Sequence, residues 1–256
     1  MNEENKAGQK FMKPSRKKSP TEKFCHAWER ILFPGYDIEN FRNNDIVAIF
    51  PKIGLIFNRI KKSGNTSLTA FFSELSGERP DDAASAKNLS RRPDVFGILT
   101  AHEIRNYRSL LVVRNPYARI LSAYRQKIAS GEKAYFSHIP GFGQDTPEGF
   151  AMFLYFLENG GLYVNRHWWP QVDLLFKPSH LFSFVAKLEN LEAEMRIFLP
   201  TIGIDPVKAD GLTRPHTISR HTTGSSTLVQ DFYTAEQRKL VAMLYRRDFE
   251  LFGYKH

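Results

Sequence analysis

The sequence predicts an α/β fold, with a mostly parallel central sheet flanked by helices. Short apolar runs of strand length alternate with segments of helical period, the pattern of strands joined by helical crossovers. Two of the strand–helix junctions carry compact polar loops rich in basic and hydroxyl side chains. The composition is that of an ordinary globular chain, 42% apolar, 25% charged and 13% aromatic, with enough apolar material for a substantial core.

Taken in order, residues 1–23 hold seven basic residues against three acidic ones, with Pro14 and Pro20 among them. They read as a flexible basic arm ahead of a single domain over 24–256. The runs 46–50 and 55–60 are strand candidates separated by the turn Pro51-Lys52-Ile53-Gly54. After the polar stretch 61–67, Leu68, Phe71, Phe72 and Leu75 fall on one face of a helix that Gly77 can close. Residues 95–100 read as another strand, ending at His102, and 109–113 as the next, with Arg114 at its end. Asn115 is a good N-cap and Pro116 suits the first helical position. Tyr117, Ile120, Leu121, Tyr124 and Ile128 then mark the apolar face of the following helix. Thr146-Pro147 starts a helix burying Phe150, Phe153, Leu154 and Leu157. A strand over 181–188 precedes a helix with Leu191, Met195 and Phe198, stopped by Pro200. The last helix opens with a capping box, Thr234 to Gln237, and buries Leu240, Val241, Leu244 and Tyr245.

Several function classes lose support at this level. The longest apolar run, 150–157, is eight residues, well short of the roughly 18 that a membrane span needs. A polar, basic start shows no secretory h-region. Cys25 is the only cysteine, so no internal disulfide forms, no Cys/His spacing points to zinc, and a reducing cytoplasm is the expected compartment. The net charge is +9, with +4 in residues 1–23 and +5 in the rest, which admits an anionic partner without choosing one.

The chemistry gathers in two loops. Residues 61–67, Lys-Lys-Ser-Gly-Asn-Thr-Ser, join a strand to a helix N-terminus, where backbone N–H groups lack partners and the helix dipole favours an anion. Gly64 permits close backbone approach, Lys62 adds a full charge, and Ser63, Thr66 and Ser67 add hydroxyls. This is a phosphate cradle by composition. It is not a Walker A loop, because the Lys precedes the Gly, and no acidic strand end stands ready to hold magnesium. In the second loop Arg114 can fork onto an anion. Ser122, about 140° from the centre of its helix's apolar face, can add a hydroxyl. Two such loops imply a ligand with two separated phosphate groups.

That combination resembles the sulfotransferases that use 3′-phosphoadenosine 5′-phosphosulfate (PAPS). Their first signature, P-K-x-G-x-[TS]-S, is met by residues 61–67, with Lys61 in place of proline, a departure expected to loosen the loop. Their second, R-[DN]-P-x-x-R-x-x-S, is met by Arg114, Asn115, Pro116, Arg119 and Ser122. Three further stretches resemble the carbohydrate sulfotransferases of the chondroitin and HNK-1 type: Asn165-Arg166-His167-Trp168-Trp169-Pro170-Gln171, Lys187-Leu188-Glu189-Asn190-Leu191 and Arg247-Asp248-Phe249-Glu250-Leu251-Phe252-Gly253-Tyr254. The likeness spans about residues 45–256. Luminal relatives carry a cysteine pair and a membrane anchor; Phe176 and Ser179 stand where the pair would fall, which fits a soluble, bacterial enzyme.

The resemblance implies a P-loop-like sulfotransferase fold and transfer of a sulfuryl group from PAPS to a hydroxyl of a carbohydrate or glycoconjugate, without a metal. It assigns Lys62 to the charge on the departing phosphate. Ser63, Gly64, Asn65, Thr66 and Ser67 would hold the 5′-phosphate, and Arg114 and Ser122 the 3′-phosphate. His102 is the expected general base, with Glu103 as the fallback. His167, Trp168 and Trp169 are better read as core than as a sugar platform, and Glu189 as an organiser of the helix after it. Loop 131–147 is expected to be an acceptor-side lid, and loop 220–223 to close over the adenosine or the acceptor. The contrasting reading is a basic polyanion-binding protein with a degenerate nucleotide pocket, although no helix-turn-helix, zinc-finger or RNP signature supports nucleic acid.

Overall fold

Three of the four short strands are buried along nearly their whole length, as the middle layer of a three-layer arrangement must be. In the computed structural model, which describes residues 33–78, 105–210, 212 and 228–256, that is what they form. The basic arm, Cys25, the strand expected over 95–100, His102, Glu103 and the loop 220–223 lie outside the described residues.

The sheet has the order β1 (Val47–Phe50), β2 (Leu55–Asn58), β3 (Arg108–Val113), β4 (Phe184–Lys187). The first pair is an antiparallel hairpin turned by Pro51–Ile53, where Gly54 takes the left-handed conformation at φ 58°. β2 and β3 are parallel, Leu55 facing Arg108 and Asn58 facing Leu111. β3 and β4 are parallel as well, Leu110 facing Phe184 and Val113 facing Lys187. The sheet is therefore mostly parallel, and the carboxyl ends of β2, β3 and β4 lie side by side.

Strand periodicity sends alternate residues to opposite layers. Val47, Ile49, Ile56, Leu111 and Val113 pack with Phe33, Ile38 and Phe41 of the α1 region (helix Ile38–Arg42) and with Phe176. Ala48, Phe50, Phe57, Leu110 and Val112 pack against Leu68 and Phe72 of α2 (Asn65–Leu75) and Met195 and Phe198 of α5 (Leu191–Phe198). A third cluster joins α3 (Pro116–Tyr124), α4 (Pro147–Glu158), α7 (Ala235–Leu244) and α8 (Arg246–Phe252), with the short α6 (Val229–Phe232) against it.

Most expected elements form where local chemistry places them. Asn115 caps α3 by accepting from the Tyr117 N–H, Thr146 caps α4, and the Thr234–Gln237 capping box opens α7. Pro200 stops its helix as expected: the α-helix ends at Phe198, and Pro200 sits in the first turn of the 3-10 segment Leu199–Ile202, where a missing N–H costs nothing. The strand expected over 181–188 differs, pairing only over Phe184–Lys187, because 3-10 turns occupy Ser179–Leu181 and Leu188–Asn190. In α3 the burial extends beyond the apolar face to every residue from Pro116 to Tyr124, Ser122 included.

Loop 131–147 differs in kind. Phe136 and Ile139 are sunk in the third cluster, the Tyr124 hydroxyl donates to the carbonyls of Gly141 and Gln144, and Arg125 clamps both oxygens of Asp145 at 2.7–3.2 Å. A Cβ at Gly141 would collide with the Gly149 carbonyl. The loop is anchored to the core at Phe136, Ile139 and Gly141, while most of its other residues are exposed.

Candidate active site

The first loop leaves β2 at Asn58 and enters α2 at Asn65, and its backbone is unusual twice. Gly64 is left-handed at φ 72°, and an added Cβ there would lie 2.9 Å from Leu188 Cδ1. Lys62 is also left-handed, at φ 70°, and no other non-glycine residue among those described has positive φ. That conformation costs an L-residue about 1–2 kcal/mol, so the surroundings must hold it. They do so through the carbonyls: Arg114 Nη1 donates to Lys62 O at 3.2 Å and Arg119 Nε to Lys61 O at 3.1 Å. Lys61, far from loosening the loop in place of proline, is tied at both ends, its ammonium 3.2 Å from Asp45 Oδ1.

Among the described residues no side chain caps α2, and its first turn carries no acidic residue. The N–H groups of that first turn thus have neither an intrahelical partner nor a competing carboxylate. Ser63 does not add its own donors: its N–H goes to Ile60 O at 3.2 Å and its hydroxyl to Gln171 Oε1 at 3.1 Å. Asn65 turns its side-chain oxygen inward to Arg59 Nε and Thr69 Oγ1. The opening of the cradle is made by backbone groups of Gly64, Asn65, Thr66 and Ser67, with Thr66 and Ser67 half-buried beside it.

Arg114 stands at the end of the neighbouring strand β3, half-buried, and Ser122 lies one helix further on, buried at 3% exposure. The Asn115 N–H donates to Glu189 Oε1 at 2.7 Å, and Glu189 Oε2 accepts from the Tyr254 hydroxyl at 2.9 Å. Glu189, expected to serve only the helix after it, in fact ties the end of β4 to the second loop and to the C-terminal segment.

Charge converges here. Burial first, then the like charges of Arg114, Lys127 and Arg119, pull the Lys62 ammonium down to about 7, and its Nζ donates to Gln126 Oε1 at 2.7 Å. Gln126 and Lys127 belong to a π-helical turn, Arg125–Ala129, that continues α3, which no periodicity in the sequence announces. Burial and the charges of Lys127, Lys61, Lys62 and Arg119 also drive His167 down to about 2, so its ring is neutral, with Nδ1 2.7 Å from Asn165 Oδ1. Among the described residues no carboxylate pairs with Lys62, and like charges held close in this way suit the binding of an anion.

Two residues that the sequence left without a role hold the loops together. Gln171 and Asp248 are both fully buried. Gln171 meets both loops, and Asp248 fixes Gln171 through its main-chain N–H at 2.8 Å and Val172 N at 3.0 Å. Arg119 is also fully buried, its Nη1 donating to Trp169 O at 2.7 Å. Trp168 is core, its ring edge-on to Phe153 at 5.4 Å and its Nε1 donating to Gly161 O. Trp169 is half-buried under the Arg166 guanidinium, 5.6 Å from the ring. Among the described residues no group of three or more His, Cys, Asp or Glu is placed to hold a metal ion, and no helix is long and apolar enough to cross a membrane. A separate cleft of about 640 Å³, lined by Gly35, Val172, Lys177, Arg247 and Leu251 among others, contains none of the predicted site residues.

The model of the Sulfotransferase family matches residues 46–255, and the chain belongs to that family. The four-stranded mixed sheet flanked by helices agrees with its fold. Among curated proteins, carbohydrate sulfotransferase 14 of Danio rerio is 28% identical over 169 residues, covering 60% of this chain and 45% of its own length. Carbohydrate sulfotransferase 12 of Xenopus laevis is 25% identical over 179 residues, 59% of this chain and 41% of that protein. Carbohydrate sulfotransferase 10 of Xenopus laevis is 24% identical over 244 residues, 82% and 68% of the two chains. The chain thus aligns with less than half the length of the first two relatives. No solved structure matches it significantly.

Proposed function

We propose that this member of the sulfotransferase family moves a sulfuryl group from PAPS to a hydroxyl of a carbohydrate or glycoconjugate. The observation that carries the reading is the pairing of an uncapped helix N-terminus after β2 with Arg114 at the end of β3, two anion-receiving points on adjacent parallel strands. The carbohydrate acceptor is suggested by the names of the relatives, and the donor by the likeness of the two loops to the PAPS-binding signatures of the family.

The donor, when bound, supplies a sulfuryl group on an activated phosphate. The α2 N-terminus is suited to its 5′-phosphate, and Arg114 with Ser122 to its 3′-phosphate. Lys62 lies at the rim of the first loop, where its charge offsets the negative charge that builds on the departing phosphate. His102 is the proposed base, taking the acceptor's proton as the new S–O bond forms and the old one breaks. It is preferred to His167 because cations and burial leave the latter a very weak base.

Calorimetric titration with 3′-phosphoadenosine 5′-phosphate, beside AMP, ADP and ATP without magnesium, tests the donor. The 3′-phosphorylated ligand should bind tightest, and Arg114→Ala should remove about 1.5–3 kcal/mol of that preference, the worth of a charge-assisted hydrogen bond. His102→Ala should keep binding and lose turnover by about 10²–10⁴-fold. Equal affinity for all four nucleotides would abandon the donor assignment and return weight to a polyanion-binding protein.

A further inference from the structure

Resting on the donor reading above, we propose that Gln171 is a positioning residue that sets the spacing between the two phosphate loops, so that recognition of the second phosphate depends on it. Its carboxamide has two acceptor sites and two donors, and the structure uses all four. Oε1 accepts from Ser63 Oγ at 3.1 Å and from the Arg114 N–H at 2.9 Å. Nε2 donates to Arg114 O at 2.9 Å and to Asp248 Oδ2 at 3.3 Å. One side chain therefore bonds a residue of the first loop and both main-chain groups of the residue that opens the second.

The amide pairs with Arg114 as a neighbouring strand would. A carboxamide flip would set its NH₂ against the Arg114 N–H and its oxygen against the Arg114 carbonyl, so the orientation is unique. Gln171 is itself immobile: it is fully buried, and its own N–H is held by Asp248 Oδ2 at 2.8 Å. Asp248, fully buried on α8, connects this device to the third hydrophobic cluster through its neighbour Phe249. Ser63 lies between Lys62 and Gly64, so any drift at Gln171 moves the first cradle relative to the Arg114 guanidinium. A ligand reaching both points senses such a drift; a ligand seated in one cradle does not.

The experiment compares AMP with 3′-phosphoadenosine 5′-phosphate on the full chain, for wild type, Gln171→Met and Ser63→Ala, with thermal midpoints recorded alongside. Expected is about a tenfold fall in the preference for the bisphosphate in Gln171→Met, AMP affinity staying within about twofold. Ser63→Ala, which removes one of the four bonds, should lower the preference by about threefold. In turnover, Gln171→Met should raise KM for the donor more than it lowers kcat. An equal loss for both nucleotides would mean that Gln171 only supports the fold and would overturn the proposal, as would an unchanged preference. Should Gln171→Met fail to fold, Ser63→Ala decides alone, an unchanged preference overturning the proposal. A wild type with no preference for the bisphosphate would instead bring down the donor reading, and this inference with it, before any variant is compared.

Discussion

The two strand–helix junctions at the carboxyl edge of the sheet are built in opposite ways. After β2 the chain leaves its helix open: Gly64 at the N-cap offers no side-chain bond, and the first turn has no acid. After β3 the chain closes its helix: Asn115 caps the Tyr117 N–H, Pro116 has no N–H to offer, and Glu189 takes the Asn115 N–H. The first junction therefore presents main-chain donors to an anion, whereas the second presents side chains, Arg114 above all. Main-chain recognition tolerates side-chain change but not backbone change; side-chain recognition has the reverse sensitivity.

The strongest way to break this contrast is Lys62→Ala, since Lys62 brings to the first junction an ammonium that is not tied to a carboxylate among the described residues. Turnover should fall about 10²–10³-fold, the usual cost of one charge-stabilising donor, while nucleotide binding weakens far less. Parallel losses in rate and binding would place Lys62 on the ground state instead, as a steady-state assay beside calorimetry would reveal.

A pH series sharpens the same point. The free protein holds Lys62 at about 7, and a bound phosphate raises that value, so the complex binds more protons than the free protein above pH 7. Affinity for 3′-phosphoadenosine 5′-phosphate should then be greatest below pH 7 and weaken by up to about tenfold per unit above it. Lys62→Ala should flatten the slope, and calorimetry in buffers of different ionisation enthalpy should show proton uptake at pH 8 only with Lys62 present.

Gly64→Ala attacks the backbone itself. The φ of 72° costs alanine about 1–2 kcal/mol, and its Cβ would press on Leu188. AMP and 3′-phosphoadenosine 5′-phosphate should weaken together, about five- to thirtyfold, because both use the first cradle. At the second junction Asn115→Ala removes a cap worth about 1 kcal/mol. Denaturant unfolding should register that loss with little change in nucleotide preference; a large change would mean that the α3 N-terminus is itself part of the anion site.

Local chemistry made much of this legible. The caps at Asn115, Thr146 and Thr234 and the alternating apolar runs are decided by a few neighbouring residues, so each junction could be located before any tertiary contact was known. Tertiary context overrode local signals elsewhere. Helix α3 is polar on one flank, but the first loop and Trp169 bring carbonyls to Arg119 there, and both Arg119 and Ser122 are buried despite that flank. Loop 131–147 has the glycine and proline content of a flap, yet its aromatic and aliphatic side chains fasten it to the core.

What the sequence by itself determined is the order of strands and helices, the two polar junctions and the residue types they offer, because hydrogen-bonding capacity and period are properties of short segments. Only the tertiary structure decided which donors remain for a ligand. Ser63 spends its hydroxyl on Gln171, 108 positions away, and Lys62 loses basicity first to burial and then to Arg114, Lys127 and Arg119, all contributed by another part of the chain. Burial and charge proximity act through space, where distances along the chain carry no information.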